Sequence, residues 1–570
     1  MTSGEAPPDG VTRRTVLRGA AVAGAVALVD PAAAVARAGG SGAGWSPDAG
    51  WGPDAVFNRE VGALAAGRES APILAPRVFS LAGVEWAGSE AARIELRSRS
   101  AGGAWSRWVL ASVLGHGPDR PPAGGERFGE PVWTGPADEV QLRSATALSG
   151  VRVHFVAVPG GAGGAAHAAQ AMPLAQPILD AGPGQPPIIA RSAWARGQAR
   201  PVHLPEFATV KLGFIHHSDG TNGYSAGQVP SILLGIFGYH VYVRGFWDIA
   251  YNFAIDAYGR IWEARAGGID QPVMGAHAGG YNDESTGMVV LGNFSSVTPA
   301  AAAIAASEQL LAWKLSLHGV PTLGRVTVEV DPSGAIYTPF APGAHVSLPH
   351  VAGHRDGCTT SCPGNAFYAQ IPSMRPRIAG LAGTAAKLTI AAPVMTVGAG
   401  TSATVTGRLT QVGSGAPLTG APIELQTVGV HGVATTIATT MTDDGGAFNF
   451  ALTAAQNVML RVLHRPAPAA VSDVVALAVA PILTLALVSP SPLEVTGSVS
   501  PAGQPVTIDL YRVVRGKRHL VASKHAGTAG GAFSVGFGSR RPGRYVVIAR
   551  TPVNARYVSA ASPPVGVTLA

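Results

Sequence analysis

The chain has 570 residues, 47 % of them hydrophobic and 13 % charged, with a formal net charge of +7. That balance excludes a disordered polyelectrolyte, and the length predicts roughly four domains. Gly (74) and Pro (45) are abundant but aperiodic, which excludes collagen and points to turn-rich β structure with linkers.

The N-terminus carries Arg13-Arg14 ahead of an apolar run, followed by Ala36-Arg37-Ala38 as a small-x-small cleavage site. Residues 1–38 therefore read as a signal peptide of the twin-arginine type. The apolar run is too short to span a membrane, so the expected product is exported, extracellular or cell-wall associated. Residues 39–72 read as a Gly/Ala/Pro-rich spacer. Residues 73–158 hold short alternating runs (77–86, 92–100, 105–111, 140–145, 151–158) and predict a small N-terminal β domain. Trp86, Trp105, Trp108 and Trp133 could face a sugar, but a core role explains them without a partner. Residues 159–186 read as linker.

Residues 187–382 change character. Strand patterns at 211–216, 249–255 and 287–291 alternate with helical patterns at 227–242 and 298–317, which predicts an α/β unit. Residues 388–480 and 482–570 return to short strands. Gly-Gly-Ala-Phe recurs at 445–448 and 530–533, a spacing that suggests two related β-sandwich modules of immunoglobulin-like size. The apolar run 474–488, split by Pro481, reads as two buried strands at a domain junction. No Lys/Arg cluster with interleaved aromatics occurs, so no nucleic-acid surface is expected.

Chemistry concentrates in two segments of the α/β unit. His216 and His217 end a β-type run. Gly353–Gly364 (Gly-His-Arg-Asp-Gly-Cys-Thr-Thr-Ser-Cys-Pro-Gly) adds His354 and, eight residues later, Cys362. Two imidazoles and one thiolate would leave a tetrahedral zinc ion with one open place, the pattern of a catalytic rather than a structural site. Cys358 and Cys362 are the only cysteines, too few for a disulfide scaffold.

Several blocks then match in order: Phe-Ile-His-His-Ser (214–218), Trp-Asp-Ile-Ala-Tyr-Asn-Phe (247–253), Gly-Arg-Ile-Trp-Glu-Ala-Arg (259–265), Gly-Ala-His-Ala-Gly-Gly-Tyr (275–281), Leu-Gly-Asn-Phe (291–294) and the Gly-His-Arg-Asp…Ser-Cys-Pro-Gly segment. On these, residues 188–380 resemble the type-2 N-acetylmuramoyl-L-alanine amidases and the peptidoglycan recognition proteins. The resemblance implies an α/β zinc amidase domain with a mixed central sheet and flanking helices, between the β domains. It implies Zn2+ on His216, His354 and Cys362, with Tyr251 and Thr360 as catalytic residues. His277 and His217 are the candidate substrate contacts, with a supporting role as the alternative for His217. The implied reaction is cleavage of the amide between N-acetylmuramic acid and L-alanine of peptidoglycan. The alternative is non-catalytic muropeptide binding, since members lacking the ligand cysteine bind without cleaving. Amide hydrolysis needs a nucleophile, stabilisation of the oxyanion and a proton for the leaving amine, which such a set can supply.

Two stretches depart from the family pattern. The 265–275 loop is longer and lacks the usual Gly-Trp, and 325–348 reads as a hairpin insertion near the cleft. Glu263 is expected to pair with Arg265 or Arg260, and Asp356 to orient its loop or a ligand histidine. Pairing of Cys358 with Cys362 would remove the ligand.

Overall fold

The computed structural model describes residues 51–88, 92–112, 116–119, 126–158, 185–392, 396–430, 432–466, 468–528 and 530–570. The expected signal peptide and residues 159–184 of the expected linker lie outside the described residues. No helix among the described residues is long and apolar enough to cross a membrane.

The N-terminal β domain comprises β1 (Val56–Leu64), β2 (Ile73–Ala87), β3 (Ile94–Arg99), β4 (Val109–Leu110), β5 (Glu126–Phe128), β6 (Val132–Ser144) and β7 (Leu148–Val156). They form one sheet in the order β1-β7-β2-β6-β3-β4, with β5 on β2. β1 falls within the segment read as spacer, which corrects that boundary. Its residues are mostly half-exposed, so it shows no clean alternation, and Phe57 stacking on Phe155 at 5.5 Å anchors it. Trp86 and Trp133 are buried, while Trp105 and Trp108 lie against the guanidinium groups of Arg97, Arg99 and Arg143.

The α/β unit is built on a six-stranded sheet. Its strands are β8 (Ile188–Ile189), β9 (Leu212–His217), β10 (Phe253–Ile255), β11 (Ile261–Glu263), β12 (Ser285–Val290) and, after the insertion, β15 (Val351–Gly353). The order is β15-β9-β12-β10-β11-β8, parallel throughout except for β10 against β11. β9 and β12 are buried at every residue. Strands covered on both faces read as continuous apolar runs, so the two histidines ending β9 stand out. One face carries α2 (Ala301–Leu317) and α3 (Ile371–Ala382); the other carries α1 (Val229–Gly238). α2 begins three residues later than the sequence pattern places it, after Ala300 in extended conformation.

The N-terminal domain docks on α1. Leu81, Trp133, Val156 and Val158 join Leu233, Leu234 and Phe237 in one apolar cluster. The 325–348 insertion is a hairpin, β13 (Arg325–Glu329) antiparallel to β14 (His345–Pro349). Val328, Val330, Val346 and Leu348 pack it onto Phe214, Tyr281 and Cys358.

The C-terminal region is β throughout and forms two units of the same plan. In the first, a three-stranded sheet ends on Ala447–Thr453 and faces a five-stranded one; in the second, the strand Ala532–Gly538 takes the same place. The recurrent Gly-Gly-Ala-Phe segment therefore opens equivalent strands. The apolar run at the junction is corrected. It forms Val475–Leu477, Val479–Ala480 and Ile482–Pro490, and the last is mostly exposed, with Leu487 and Val488 on its surface.

Candidate metal centre

β9 ends with His216 and His217 on opposite faces, as strand geometry requires. β15 runs into a single turn at His354–Asp356 and brings His354 alongside, ring centroids 4.4 Å from those of His216. Asp356 fixes that turn. Its Oδ2 accepts the Gly353 N–H at 2.9 Å, and the Tyr368 hydroxyl donates to Oδ1. Asp356 thus orients the loop, one of its two expected roles. The N–H of Arg355 and its Nε both donate to the Cys362 carbonyl at 3.2 Å and fold the loop back. Cys362 Sγ then lies 3.8 Å from His216 Nδ1 and receives the His217 N–H at 3.4 Å.

His216, His354, His277 and Tyr251 are all buried to within 1 % exposure. Burial, reinforced by neighbouring imidazoles, holds His216, His354 and His277 well below the usual histidine range, which keeps them neutral. Both ring nitrogens of His354 lack a hydrogen-bond partner. Burial pushes the Cys362 thiol well up, so a thiolate there requires a cation beside it. Neutral imidazoles with free lone pairs beside a thiol are a donor set that fits zinc.

Tyr251 sits 5.5 Å from His216, ring to ring, and burial raises its phenol well above the ordinary value, leaving a proton donor. Thr360, half-buried, accepts the Cys362 N–H at 3.2 Å. The two candidate substrate contacts, His277 and His217, are both buried. His277 Nδ1 lies 3.2 Å from His216 Nε2, so His277 supports that ring from behind. His217 faces away; its Nδ1 accepts the Phe294 N–H at 3.2 Å and its Nε2 is 3.8 Å from Asp219. Burial, with Arg355 nearby, takes it down to about 3.

Glu263 is also corrected. It accepts the Arg191 N–H at 2.9 Å, while Arg260 pairs with Asp256 and Arg265 with Asp119. Cys358 and Cys362 are both free thiols. Cys358 lies 3.7 Å from the Gly279 carbonyl, and burial lifts it to about 12, so it is a packing residue of the hairpin core.

The sequence reading missed a further histidine. His116 comes from the N-terminal domain. One donor atom each from His116, His216 and His354 lie within 4.8 Å of one another, and Cys362 borders that group. His116 Nε2 is 3.3 Å from His216 Nδ1, and its ring stacks on His354 at 4.8 Å. Glu130 Oε1 takes its Nδ1 at 2.8 Å and also accepts from Arg244 Nη1 at 3.0 Å. Burial pushes the Glu130 carboxyl up, but His116, His240 and Arg244 outweigh it and hold it well below the usual carboxylate range. His116 stands alone in a Gly/Pro-rich loop, a hundred residues from its partner, so no spacing motif reports it.

A family described as N-acetylmuramoyl-L-alanine amidase matches residues 206–365. Peptidoglycan-recognition protein SC2 of Drosophila melanogaster is 30% identical over 185 residues, 32% of this chain and 84% of that protein. The chain belongs to the peptidoglycan recognition protein and type-2 amidase family. Within the family, peptidoglycan recognition protein 3 of Homo sapiens is 32% identical over 127 residues, 22% of this chain. The chain spans 35% of the length of that relative. A solved structure of peptidoglycan recognition protein-LE with tracheal cytotoxin is 27% identical, covering 33% of this chain and 92% of that one, with a TM-score of 0.25. Residues 52–174 match a second family, described as Rv3811 N-terminal galactose-binding domain-like.

Proposed function

We propose that this family member is an exported, zinc-dependent N-acetylmuramoyl-L-alanine amidase acting on peptidoglycan. The observation that carries the reading is the buried pair His216 and His354, bordered by the Cys362 thiol, with both ring nitrogens of His354 lacking any partner. Zinc held by His216, His354 and Cys362 would activate water and polarise the scissile carbonyl. The chain's own residues would do the rest. Tyr251 would donate its phenolic proton toward the developing oxyanion. Thr360 Oγ1 already accepts from Cys362, so its own hydrogen is free to point to the same oxyanion. His277 would hold His216 in the orientation that presents Nδ1. Retention of Cys362 supports hydrolysis over binding alone.

The test is digestion of defined muropeptides by the full chain, with zinc measured on the same sample. Wild type should hold one zinc per chain and release free glycan and peptide. Cys362→Ala should lose the metal and lower release by about a thousandfold. Undiminished release by Cys362→Ala would overturn the reading.

A further inference from the structure

We propose that the N-terminal β domain closes the metal centre through His116, whose Nε2 occupies the fourth donor place and keeps the enzyme latent until the domain is displaced. The proposal rests on the amidase reading above and adds a regulatory metal ligand to it.

Geometry is the first support. With zinc–nitrogen bonds of about 2.0–2.1 Å, two nitrogens of a tetrahedral site stand about 3.3 Å apart. His116 Nε2 and His216 Nδ1 are 3.3 Å apart. The tautomer is the second. The Glu130 carboxylate accepts only, so His116 Nδ1 carries the hydrogen and Nε2, turned toward the group, is the atom left to bind a metal. A carboxylate behind an imidazole is the usual support of a metal-bound histidine, and Arg244 in turn holds Glu130.

Sealing is the third. His116 and Glu130 are themselves only 1 % and 2 % exposed, over a centre whose other side chains are equally buried. With both in place a glycan strand cannot reach the centre, so wild-type release comes from the fraction of molecules in which the domain has moved aside. The closure is fastened at several points. Asp119 pairs with Arg265 and accepts the Trp247 N–H at 2.9 Å. Tyr239 donates to the Gly129 carbonyl at 3.0 Å, and Arg244 donates to the carbonyl of His116 itself. The inserted hairpin presses from the other side. A Cβ at Gly117 would meet Ile336 Cδ1 at 1.6 Å, so the loop packs directly against that side chain. An incidental loop contact would not require this many buried polar partners.

Cobalt(II) replaces zinc in the full-length protein for the test. Three paramagnetically shifted imidazole N–H resonances are expected in wild type, and azide should leave its visible spectrum unchanged. His116→Ala should show two such resonances and a spectrum that responds to azide. Two resonances in wild type, or a wild-type response to azide, would overturn the proposal even if the variant fails to fold. Muropeptide release should rise at least tenfold in His116→Ala. Equal release by the two proteins overturns latency and leaves the amidase reading intact. No release from a metal-loaded, azide-responsive variant overturns the amidase reading and, with it, latency. Absence of bound cobalt in both overturns the two together.

Discussion

Two β units flank the amidase unit, and both reach it with buried ion pairs. The N-terminal domain brings Glu130 to Arg244 and Asp119 to Arg265, together with His116 at the candidate metal centre. The first C-terminal unit brings Arg461 to Asp270, 2.6 Å apart, and the Gly432 carbonyl to Gln271 at 3.2 Å. Its apolar residues Leu463 and Val471 join the cluster beneath α2, on the sheet face away from α1. The first contact covers the chemistry. The second braces the 265–275 loop, the stretch that departs from the family pattern. Lys314 braces the same loop, donating to the carbonyls of Ile269 and Gln271 at 2.8 and 2.7 Å. The difference lies in what each unit buries: donor atoms that can meet a metal on one side, and ion pairs and carbonyl contacts on the other.

The largest effect expected from breaking this comparison is at Arg244. Arg244→Ala leaves the buried Glu130 carboxylate without its guanidinium, which costs about 3–5 kcal/mol. Urea unfolding of the full chain measures it, and a loss below about 1 kcal/mol would show that the closure does not depend on that pair. The matching change on the other side is Arg461→Ala. Asp270 is less deeply buried than Glu130, its side chain 10 % exposed against 2 %. The expected loss is therefore smaller, about 2–3 kcal/mol. The azide response of the cobalt protein should not change with it. A changed response would mean that the loop brace reaches the metal centre after all.

How much of this was legible beforehand follows from where each signal lives. His216, His354, Cys362 and Tyr251 lie in contiguous blocks whose order survives in the chain, and the structure brings them into one buried group. The α/β unit was legible for the same reason. β1 was missed because an edge strand with half-exposed residues shows no period. The directions of the His277 and His217 rings were not legible, because adjacency in a motif does not tell which way a ring points; strand alternation and the reach to His216 Nε2 decide that. His116 was illegible because its meaning comes entirely from docking. Nothing local distinguishes a loop histidine that meets solvent from one that meets another domain's histidines.

The smallest expected effect probes the N-terminal interface by pH. His240 is buried at the N-terminal interface, and its Nε2 is 3.9 Å from Glu130. Burial, only partly offset by Glu130, takes it from 6.5 down to about 4. Between those values the unfolded chain binds a proton that the folded chain refuses. Its stabilising contribution is therefore full above about pH 6.5 and is lost as pH falls toward about 4. From pH 7.5 to pH 5 the loss from this group is about 2 kcal/mol. Hydrogen exchange should show residues 126–158 loosening from pH 7.5 to pH 5 more in wild type than in His240→Gln. His240→Gln should flatten the stability profile over this range. An unchanged slope in that variant would move the acid sensitivity to the other buried histidines and away from the interface.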